Sequence, residues 1–441
     1  MQNIDLVISG GTALLVDNNN TCLENAGIAV NASSIIDIGL KDDILRKYSA
    51  RKIINADRSL VMPGFVNTHS HAAMTCFRGI ADDLELMDWL NNYIFPAEAK
   101  NVTPRLAYWG SLLACAEMIK SGTTTFCDMY IFEEETARAA KEAGVRCLIG
   151  EVLFDFPSPN CKTPEEGLAY TRRLAEKWRD DPLVNIIAEP HSLYTCSSDL
   201  LRKAKIIADD YNLMIGTHLL ENQAELDQLR QKFGKSAISF LDDIGYLNER
   251  LLAFHCVCLS PDEIKRLGEK HCKVSHNPAS NMKLANGIPP VPEMIEAGIT
   301  VGLGTDGCAS NNTLDMIREM STAAKLHKVA SLDPTVMDAK TVVRMATQNG
   351  ARALGMEHLT GSLAVGKKAD IIVIGLDKPH LTPIYDAYSH LVYAACGADV
   401  DTVVINGKVV MEDRRLLTIN ESEVMNEVRE LAVQIKKSLN S

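Results

Sequence analysis

Eight apolar, strand-like runs separated by helical patterns occupy the middle of this chain, and this alternation limits its possible folds more than any other feature. The runs do not alternate apolar and polar residues strictly, which is typical of strands buried on both faces of a parallel sheet. The predicted strands are residues 64–69, 123–129, 145–153, 184–191, 213–219, 251–259, 273–277 and 300–305. Eight strand–helix units over this length predict an α/β fold, the (β/α)8 TIM barrel.

The two ends of the chain differ from this middle because they contain short strand patterns separated by Gly, Asn and Asp. Residues 4–54 predict antiparallel strands, and residues 403–411 predict a hairpin because Asn406-Gly407 suits a type I′ turn. An amphipathic helix is predicted at residues 421–439. We therefore predict a small β-sandwich domain built from residues 1–61 and 366–441, with the barrel formed by residues 62–365.

Composition excludes several classes of partner. The net charge of −12 argues against nucleic acid and against an anionic membrane surface. The 12 cysteines are scattered without a Cys-x-x-Cys pair, which is typical of reduced thiols. The first residues do not resemble a signal peptide, and no apolar run reaches transmembrane length. We expect a cytoplasmic homo-oligomer with a small-molecule substrate.

Polar side chains follow the predicted barrel strands where those strands end, which is where TIM barrels carry their chemistry. They are His69, His71, His191, His218, Glu221, His255, His276 and Asp306. The pair His69 and His71 is the most informative, because residues two apart on a strand point to the same face. Two imidazoles that converge in this way are typical of a metal site.

We predict that His69, His71, His218 and Asp306 bind one divalent metal ion and leave a position for water. Zinc suits this ligand set, and ferrous iron is the alternative because nitrogen and oxygen ligands discriminate weakly between the two. Strand four ends in residues 189–191, Glu-Pro-His, with no lysine that could bridge a second ion. One ion is therefore expected.

Two further residues are candidates for proton transfer beside the metal, in addition to Asp306. Glu221 follows His218 by three residues and could reach both a bound water and the substrate. The alternative is that Glu221 only begins the next helix. His255 could hold the attacking water and shuttle protons, or it could donate to a backbone carbonyl. We predict Glu221, His255 and Asp306 as catalytic residues.

Several motifs together resemble the amidohydrolase superfamily and, within it, the 5′-methylthioadenosine/S-adenosylhomocysteine deaminases. These motifs are residues 63–71, 189–191, 216–221, 255–257, 275–283, 304–307 and 361–370. The resemblance implies metal-dependent hydrolytic deamination of an adenosine-type nucleoside to its inosine analogue and ammonia. It also implies the same four metal ligands and the same proton-transfer role for Glu221, with His255 as its partner.

The resemblance adds substrate contacts that the residues alone do not suggest. It implies that Glu98 holds the ribose hydroxyls, that His191 contacts the purine, and that Glu221 and Asp306 also face the substrate. Trp89 lies in residues 75–102, which we predict to cover the barrel mouth. Its ring either packs on the ligand or is buried against its own helix.

The chain departs from the family near strand three, where the resemblance implies arginines that meet the homocysteine carboxylate. Arg146, early in that strand, is the remaining candidate, because residues 151–161 contain no arginine. Glu151 and Asp155 would repel a carboxylate. We therefore expect 5′-methylthioadenosine or another adenosine without a charged tail to be the better substrate.

Two rival functions follow from the same residues. The scaffold could deaminate or hydrolyse another amino-substituted heterocycle, such as a triazine, guanine or cytosine. Glu221 counts against chlorohydrolysis, since expelling chloride needs no delivered proton. A barrel without catalytic activity could instead serve as a binding module, but all four predicted ligands and Glu221 are present.

Overall fold

A barrel of eight parallel strands forms the centre of the computed structural model, which describes residues 1–439. The strands, numbered one to eight here, follow chain order, and each is hydrogen-bonded to the next. They are Phe65–Ser70, Thr123–Tyr130, Arg146–Leu153, Val184–Pro190, Met214–Leu219, Leu251–His255, Lys273–His276 and Thr300–Leu303. After strand eight, the backbone N–H of Asp306 donates to the carbonyl of His69 at 2.9 Å, which brings the last strand beside the first. The predicted TIM barrel is confirmed.

Helices connect the strands and cover the outside of the barrel. Those that precede strand eight are Pro104–Lys120, Glu133–Ala143, Pro164–Lys177, Ser198–Asp210, Gln223–Phe233, Ala237–Asp243, Pro261–Glu269, Pro278–Lys283 and Val291–Glu296. Those that follow are Met316–Ser331, Ala339–Met345, Gln348–Ala353, Ala387–Tyr393 and Glu421–Leu439. Thr103, Thr163, Ser197 and Ser260 each accept a hydrogen bond from the first turn of the helix that they begin.

One predicted helix is divided in two. The sequence pattern predicts a continuous helix over residues 223–244, whereas the first helix ends where Gly234 adopts a φ of +66°. Glycine takes this left-handed conformation without steric cost and commonly ends helices. Within residues 1–439, no helix is both long and apolar enough to cross a membrane.

The chain ends form two further sheets, of which only the larger combines strands from both ends. The four-stranded sheet has the order Ser34–Leu40, Ala26–Asn31, Gln2–Ser9 and Tyr48–Asn55. The seven-stranded sheet has the order Arg415–Leu416, Lys408–Glu412, Val400–Ile405, Ile371–Gly375, Ser59–Pro63, Thr12–Leu14 and Cys22–Glu24. Ile8, Ile28, Val61, Ile371 and Val404 belong to one apolar core that the two sheets share. The domain boundaries at 61/62 and 365/366 stay a prediction.

The segment of residues 75–102, called the lid below, lies between strand one and the first outer helix. It contains the π-helix Trp89–Ile94 and the helix Phe95–Asn101. The C-terminal helix Glu421–Leu439 packs against the lid through Leu431 and Ile435, which share an apolar cluster with lid side chains. This last helix follows the strands of the small sheets in the sequence. It nevertheless contacts the lid, which belongs to the barrel.

Candidate active site

The four predicted metal ligands come together at the carboxyl ends of their strands. The ring nitrogens of His69, His71 and His218 offer one ligand atom each, all within 4.8 Å of one another. Nε2 of His69 and Nε2 of His71 lie 3.4 and 3.2 Å from Oδ1 of Asp306. Ligands of a tetrahedral ion bonded at about 2.0–2.1 Å lie about 3.3 Å apart. The spacing of these side chains therefore suits one ion.

His69 is the buried centre of this cluster. Its side chain is fully buried, and neither ring nitrogen has a hydrogen-bond partner within residues 1–439. The ring of Phe254 stacks on the imidazole with 3.9 Å between centroids. Burial lowers the pKa of His69 to about 3, so the imidazole is neutral at physiological pH. A neutral, unpartnered nitrogen in the protein interior is a fitting metal ligand.

The other two histidines are held by backbone carbonyls. Nδ1 of His218 donates to the carbonyl of His191 at 2.8 Å, and Nδ1 of His71 donates to the carbonyl of Met129. Because a carbonyl oxygen only accepts, these contacts place a proton on Nδ1 of each ring. Nε2 is then the ring atom that each histidine directs towards the cluster.

Asp306 is fixed by three donors. Its Oδ2 accepts from the hydroxyls of Ser280 at 2.6 Å and Ser310 at 2.9 Å, and its Oδ1 accepts from the backbone N–H of Gly307 at 2.8 Å. Burial alone would raise the pKa of Asp306, but its contacts with the two neighbouring imidazoles hold that pKa well below the usual range. The carboxyl is therefore ionised, as a metal ligand must be.

His255 ends strand six earlier than the sequence predicts. It adopts a φ of +69°, and Cys256 follows with a φ of +50°, so the predicted strand 251–259 stops at His255. Left-handed conformations of such residues carry strain and cluster at functional sites. Nδ1 of His255 lies 2.8 Å from Oδ1 of Asn281, and its Nε2 lies 4.0 Å from Oδ2 of Asp306. The imidazole thus faces the ligand cluster.

Glu221 places a buried carboxyl beside this cluster. Its Oε1 accepts from Nδ2 of Asn286 at 2.9 Å and lies 3.8 Å from Nδ1 of His255. The preceding Leu220 has a φ of +52°, which turns the chain sharply after strand five. Burial raises the pKa of Glu221. A carboxyl with a raised pKa can hold and release a proton near neutral pH.

A cavity opens directly above these groups. The predicted site residues that line it are His71, Trp89, Glu98, His191, His218, Glu221, His255 and Asp306. The cavity therefore brings the candidate ligands, the candidate acid and the candidate substrate contacts to one place, with His69 buried beneath them.

The lid contributes two of the predicted substrate contacts. Glu98 is buried, and burial raises its pKa to about 7, although the hydroxyl of Tyr130 and the charge of His71 oppose this shift. Trp89 is buried within the lid, and packing of its ring on a ligand stays a prediction. Its ring lines the cavity, while its Nε1 donates to the carbonyl of Ala81 within the lid at 3.2 Å.

His191 is neutral and oriented by hydroxyl groups. Its Nδ1 lies 3.0 Å from Oγ1 of Thr195 and 3.2 Å from Oγ of Ser192. Burial lowers its pKa to about 3. The ring also lies 5.0 Å from the ring of Phe154. Its Nε2 is the atom that remains for a ligand in the cavity.

The position of Arg146 corrects the expectation that it contacts the substrate. Arg146 begins strand three, so it lies at the end of the barrel opposite the cavity. Its guanidinium is fully buried, pairs with Asp370 at 3.0 Å, and donates to the carbonyl of Pro182 at 2.7 Å. Arg146 therefore joins the barrel to the seven-stranded sheet.

Sequence reasoning assigned no role to several residues that complete the site. Asn281 and Asn286 position His255 and Glu221, while Ser280 and Ser310 bind Asp306. Ser280 and Asn281 lie within the motif at residues 275–283. The sequence feature that could have identified these two residues is a group of amide and hydroxyl side chains directly after a buried strand.

Comparison with known proteins agrees with this geometry. The model of a family described as the amidohydrolase family matches residues 60–410. The chain belongs to the amidohydrolase family. The membership predicted from the motifs is confirmed.

Three similar proteins narrow the comparison for this amidohydrolase. A 5-methylthioadenosine/S-adenosylhomocysteine deaminase 1 from Syntrophus aciditrophicus (strain SB) is 60% identical over 100% of this chain and 99% of that protein. A 5′-deoxyadenosine deaminase from Methanosarcina mazei is 44% identical, with 99% and 100% covered. The crystal structure of an adenosine deaminase from Xanthomonas campestris with bound zinc is 35% identical and has a TM-score of 0.97, with 99% of each chain covered.

Proposed function

We propose that this amidohydrolase deaminates adenosine-type nucleosides by hydrolysis and releases the inosine analogue and ammonia. The observation that carries the proposal is the buried Glu221 carboxyl, which has a raised pKa and lies 3.8 Å from His255 beside the ligand cluster. Displacing an amine needs a delivered proton, and this carboxyl can deliver one. The similar proteins named as deaminases of 5-methylthioadenosine, 5′-deoxyadenosine and adenosine support this choice.

His69, His71, His218 and Asp306 would hold the metal ion, because they offer three imidazoles and one carboxylate that meet at the barrel mouth. When bound, such an ion lowers the pKa of water from 15.7 to about 7, which makes a nucleophile available at neutral pH. We propose one ion per chain and favour zinc, which the similar adenosine deaminase contains. Iron is the alternative with the same donor set.

The chain's own residues would orient the reactants and move the protons. His255, held by Asn281, and the ionised Asp306 would orient the attacking water towards C6 of the purine. Glu221 would protonate ring nitrogen N1, so that the attack yields a neutral tetrahedral carbon rather than a ring anion. Glu221 would then take a proton from the attacking water and pass it to the amine, the C6–N bond breaks and ammonia leaves, and the remaining hydroxyl proton returns to Glu221 as C6 becomes the carbonyl of the inosine analogue.

The nucleoside would lie between the barrel mouth and the lid. Glu98, when ionised, would accept hydrogen bonds from the ribose hydroxyls, and Nε2 of His191 would face the purine. The Trp89 ring would cover the ligand from the lid side, since its N–H is already bonded to Ala81. Closing these groups over the substrate would exclude water from the reacting atoms.

The outer part of the cavity favours an uncharged 5′ group. It continues from Phe95 to Phe154 and Phe156, and the last two rings stack with 4.5 Å between centroids. Among residues 1–439, no lysine or arginine lines the cavity or this outer part. An apolar substituent can pack on these rings, whereas a homocysteine carboxylate would find no cationic partner. We therefore propose 5′-methylthioadenosine or 5′-deoxyadenosine as better substrates than S-adenosylhomocysteine.

Ammonia release from a substrate panel tests the proposal. The panel contains 5′-methylthioadenosine, 5′-deoxyadenosine, adenosine, S-adenosylhomocysteine, guanine, cytosine and an aminotriazine. We expect ammonia from the adenosines, together with the absorbance change of adenosine to inosine, and the highest kcat/KM for the uncharged tails. If protein with a full complement of metal acts only on guanine, cytosine or the triazine, the substrate assignment is wrong. Activity on none of them would favour the binding module.

A large preference for S-adenosylhomocysteine would contradict only the proposed preference for an uncharged 5′ group.

We further propose that the protein acts in the cytoplasm as a homo-oligomer, as its sequence predicts. Sedimentation of the purified, metal-loaded protein tests the second statement, and a monomer at enzymatic concentrations would contradict it.

A further inference from the structure

Tyr130 presents a buried hydroxyl for which the structure provides no partner. The residue ends strand two, its exposed fraction is 3%, and it lines the cavity. Within residues 1–439, its hydroxyl makes no hydrogen bond. A buried hydroxyl without a partner is costly, so such groups in folded proteins usually have a ligand or a function. A phenylalanine would fill the same space without that cost.

The hydroxyl lies near the carboxyl of Glu98 without making a hydrogen bond of ordinary geometry to it. Its proximity favours the ionised form of Glu98 and so opposes the rise of the Glu98 pKa that burial causes. Glu98 belongs to the lid and Tyr130 to a barrel strand, and both side chains line the cavity.

The chemistry of this pair matches one kind of ligand group. An ionised carboxylate only accepts hydrogen bonds, whereas a phenol hydroxyl can donate one. An alcohol placed between them can donate to the carboxylate and accept from the phenol at the same time. An ether, a methylene or a deoxy carbon could satisfy neither group.

We propose that Tyr130 is a specificity-determining residue that donates a hydrogen bond to a ribose hydroxyl of the substrate while Glu98 accepts the proton of that hydroxyl. This inference rests on the proposed nucleoside deaminase activity. A substrate without the ribose hydroxyls leaves both buried groups unpaired, and sites built in this way discriminate strongly against such analogues.

The test compares Tyr130→Phe with the unchanged protein on adenosine and on 2′,3′-dideoxyadenosine. Losing one hydrogen bond to a buried group typically costs about 5- to 100-fold in binding. We therefore expect KM for adenosine to rise by about 5- to 100-fold, with kcat little changed. The kinetic constants for dideoxyadenosine should not change, because that substrate has no hydroxyl for Tyr130 to contact.

Two controls separate this role from a structural one. Tyr108→Phe removes a hydroxyl that donates to Glu142 at 2.6 Å outside the cavity, and it should change neither substrate's constants. Metal content must be equal in all variants, because the Met129 carbonyl beside Tyr130 accepts a hydrogen bond from His71. Calorimetric binding of inosine should weaken in Tyr130→Phe by the same factor as KM.

Two results would overturn the inference. Equal losses on adenosine and dideoxyadenosine would show that Tyr130 acts on the shape of the site, and an unchanged KM for adenosine would show that its hydroxyl has no role in binding. In either case the unchanged protein would still release ammonia from adenosine. Failure of the proposed function is distinguishable, since the unchanged protein would then act on neither nucleoside.

Discussion

Replacing Glu221 by glutamine removes the proposed proton donor and changes little else around it. The amide has the same shape as the carboxyl, and its oxygen can still accept from Asn286, which now donates to Glu221 Oε1 at 2.9 Å. Glu221 is not a member of the ligand cluster, so the ion should stay bound. The substitution therefore tests chemistry rather than folding.

The expected loss follows from the role of the proton. Positioned proton transfer typically contributes about 10²–10⁴-fold to an enzymatic rate. Each factor of ten corresponds to about 1.36 kcal/mol, so the variant should lose about 2.7–5.4 kcal/mol of transition-state stabilisation. Because the carboxyl is buried and water is excluded from it, solvent should replace little of this contribution.

The assay is turnover of 5′-methylthioadenosine at saturating substrate, with metal content measured on the same sample. Glu319→Gln is the matched control, because Glu319 is also buried and accepts from an asparagine, Nδ2 of Asn311, at 2.7 Å. It does not line the cavity, and we expect that variant to keep most of its turnover. A loss of less than about tenfold in Glu221→Gln, with the ion retained, would refute the proton-transfer role.

Three further predictions concern the ion, the sugar site and the fold. His218→Ala should lose most of its bound metal while keeping its helical circular dichroism, and elemental analysis checks this. Because the raised pKa of Glu98 is about 7, its carboxyl gains a proton as the pH falls through that value. KM for adenosine should therefore rise below about pH 7, and Glu98→Gln should remove that dependence in a pH series. Arg146→Met should lower the free energy of unfolding by about 3–5 kcal/mol, because it leaves Asp370 buried and unpaired, yet leave KM unchanged.

Each of these predictions has an outcome that contradicts it. Full metal content in His218→Ala would remove that residue from the ligand set. A pH-independent KM would show that Glu98 is not the group that meets the ribose. Urea unfolding of Arg146→Met with no loss of stability would argue against a strong buried ion pair, and the double variant Arg146→Met, Asp370→Leu should recover much of any loss.

The barrel and the cluster of candidate metal ligands could be predicted because each depends on local sequence. Apolar runs identified the strands, and the residue type at each strand end identified His69, His71, His218 and Asp306. Parallel strands then bring those ends together whatever the intervening chain contains. The Asn406-Gly407 hairpin was equally local, and the structure pairs Val404 with Val409 across it.

The remaining features depend on contacts that no local pattern contains. Arg146 pairs with Asp370, which lies 224 residues further along the chain, so its partner was invisible in strand three alone. The left-handed backbone at His255 is a strained conformation that surrounding structure must impose. The proposed role of the Tyr130 hydroxyl depends on its proximity to Glu98, which lies on the lid rather than on the same strand.

The C-terminal helix Glu421–Leu439 links the surface of this enzyme to the cavity through the lid. Leu431 and Ile435 pack against the lid, and Glu98 of the same lid lines the cavity. Substitutions on that outer helix, remote from every candidate metal ligand, would affect Glu98 by shifting the lid that carries it. Affinity for the nucleoside can therefore change during evolution while the residues at the barrel mouth remain the same.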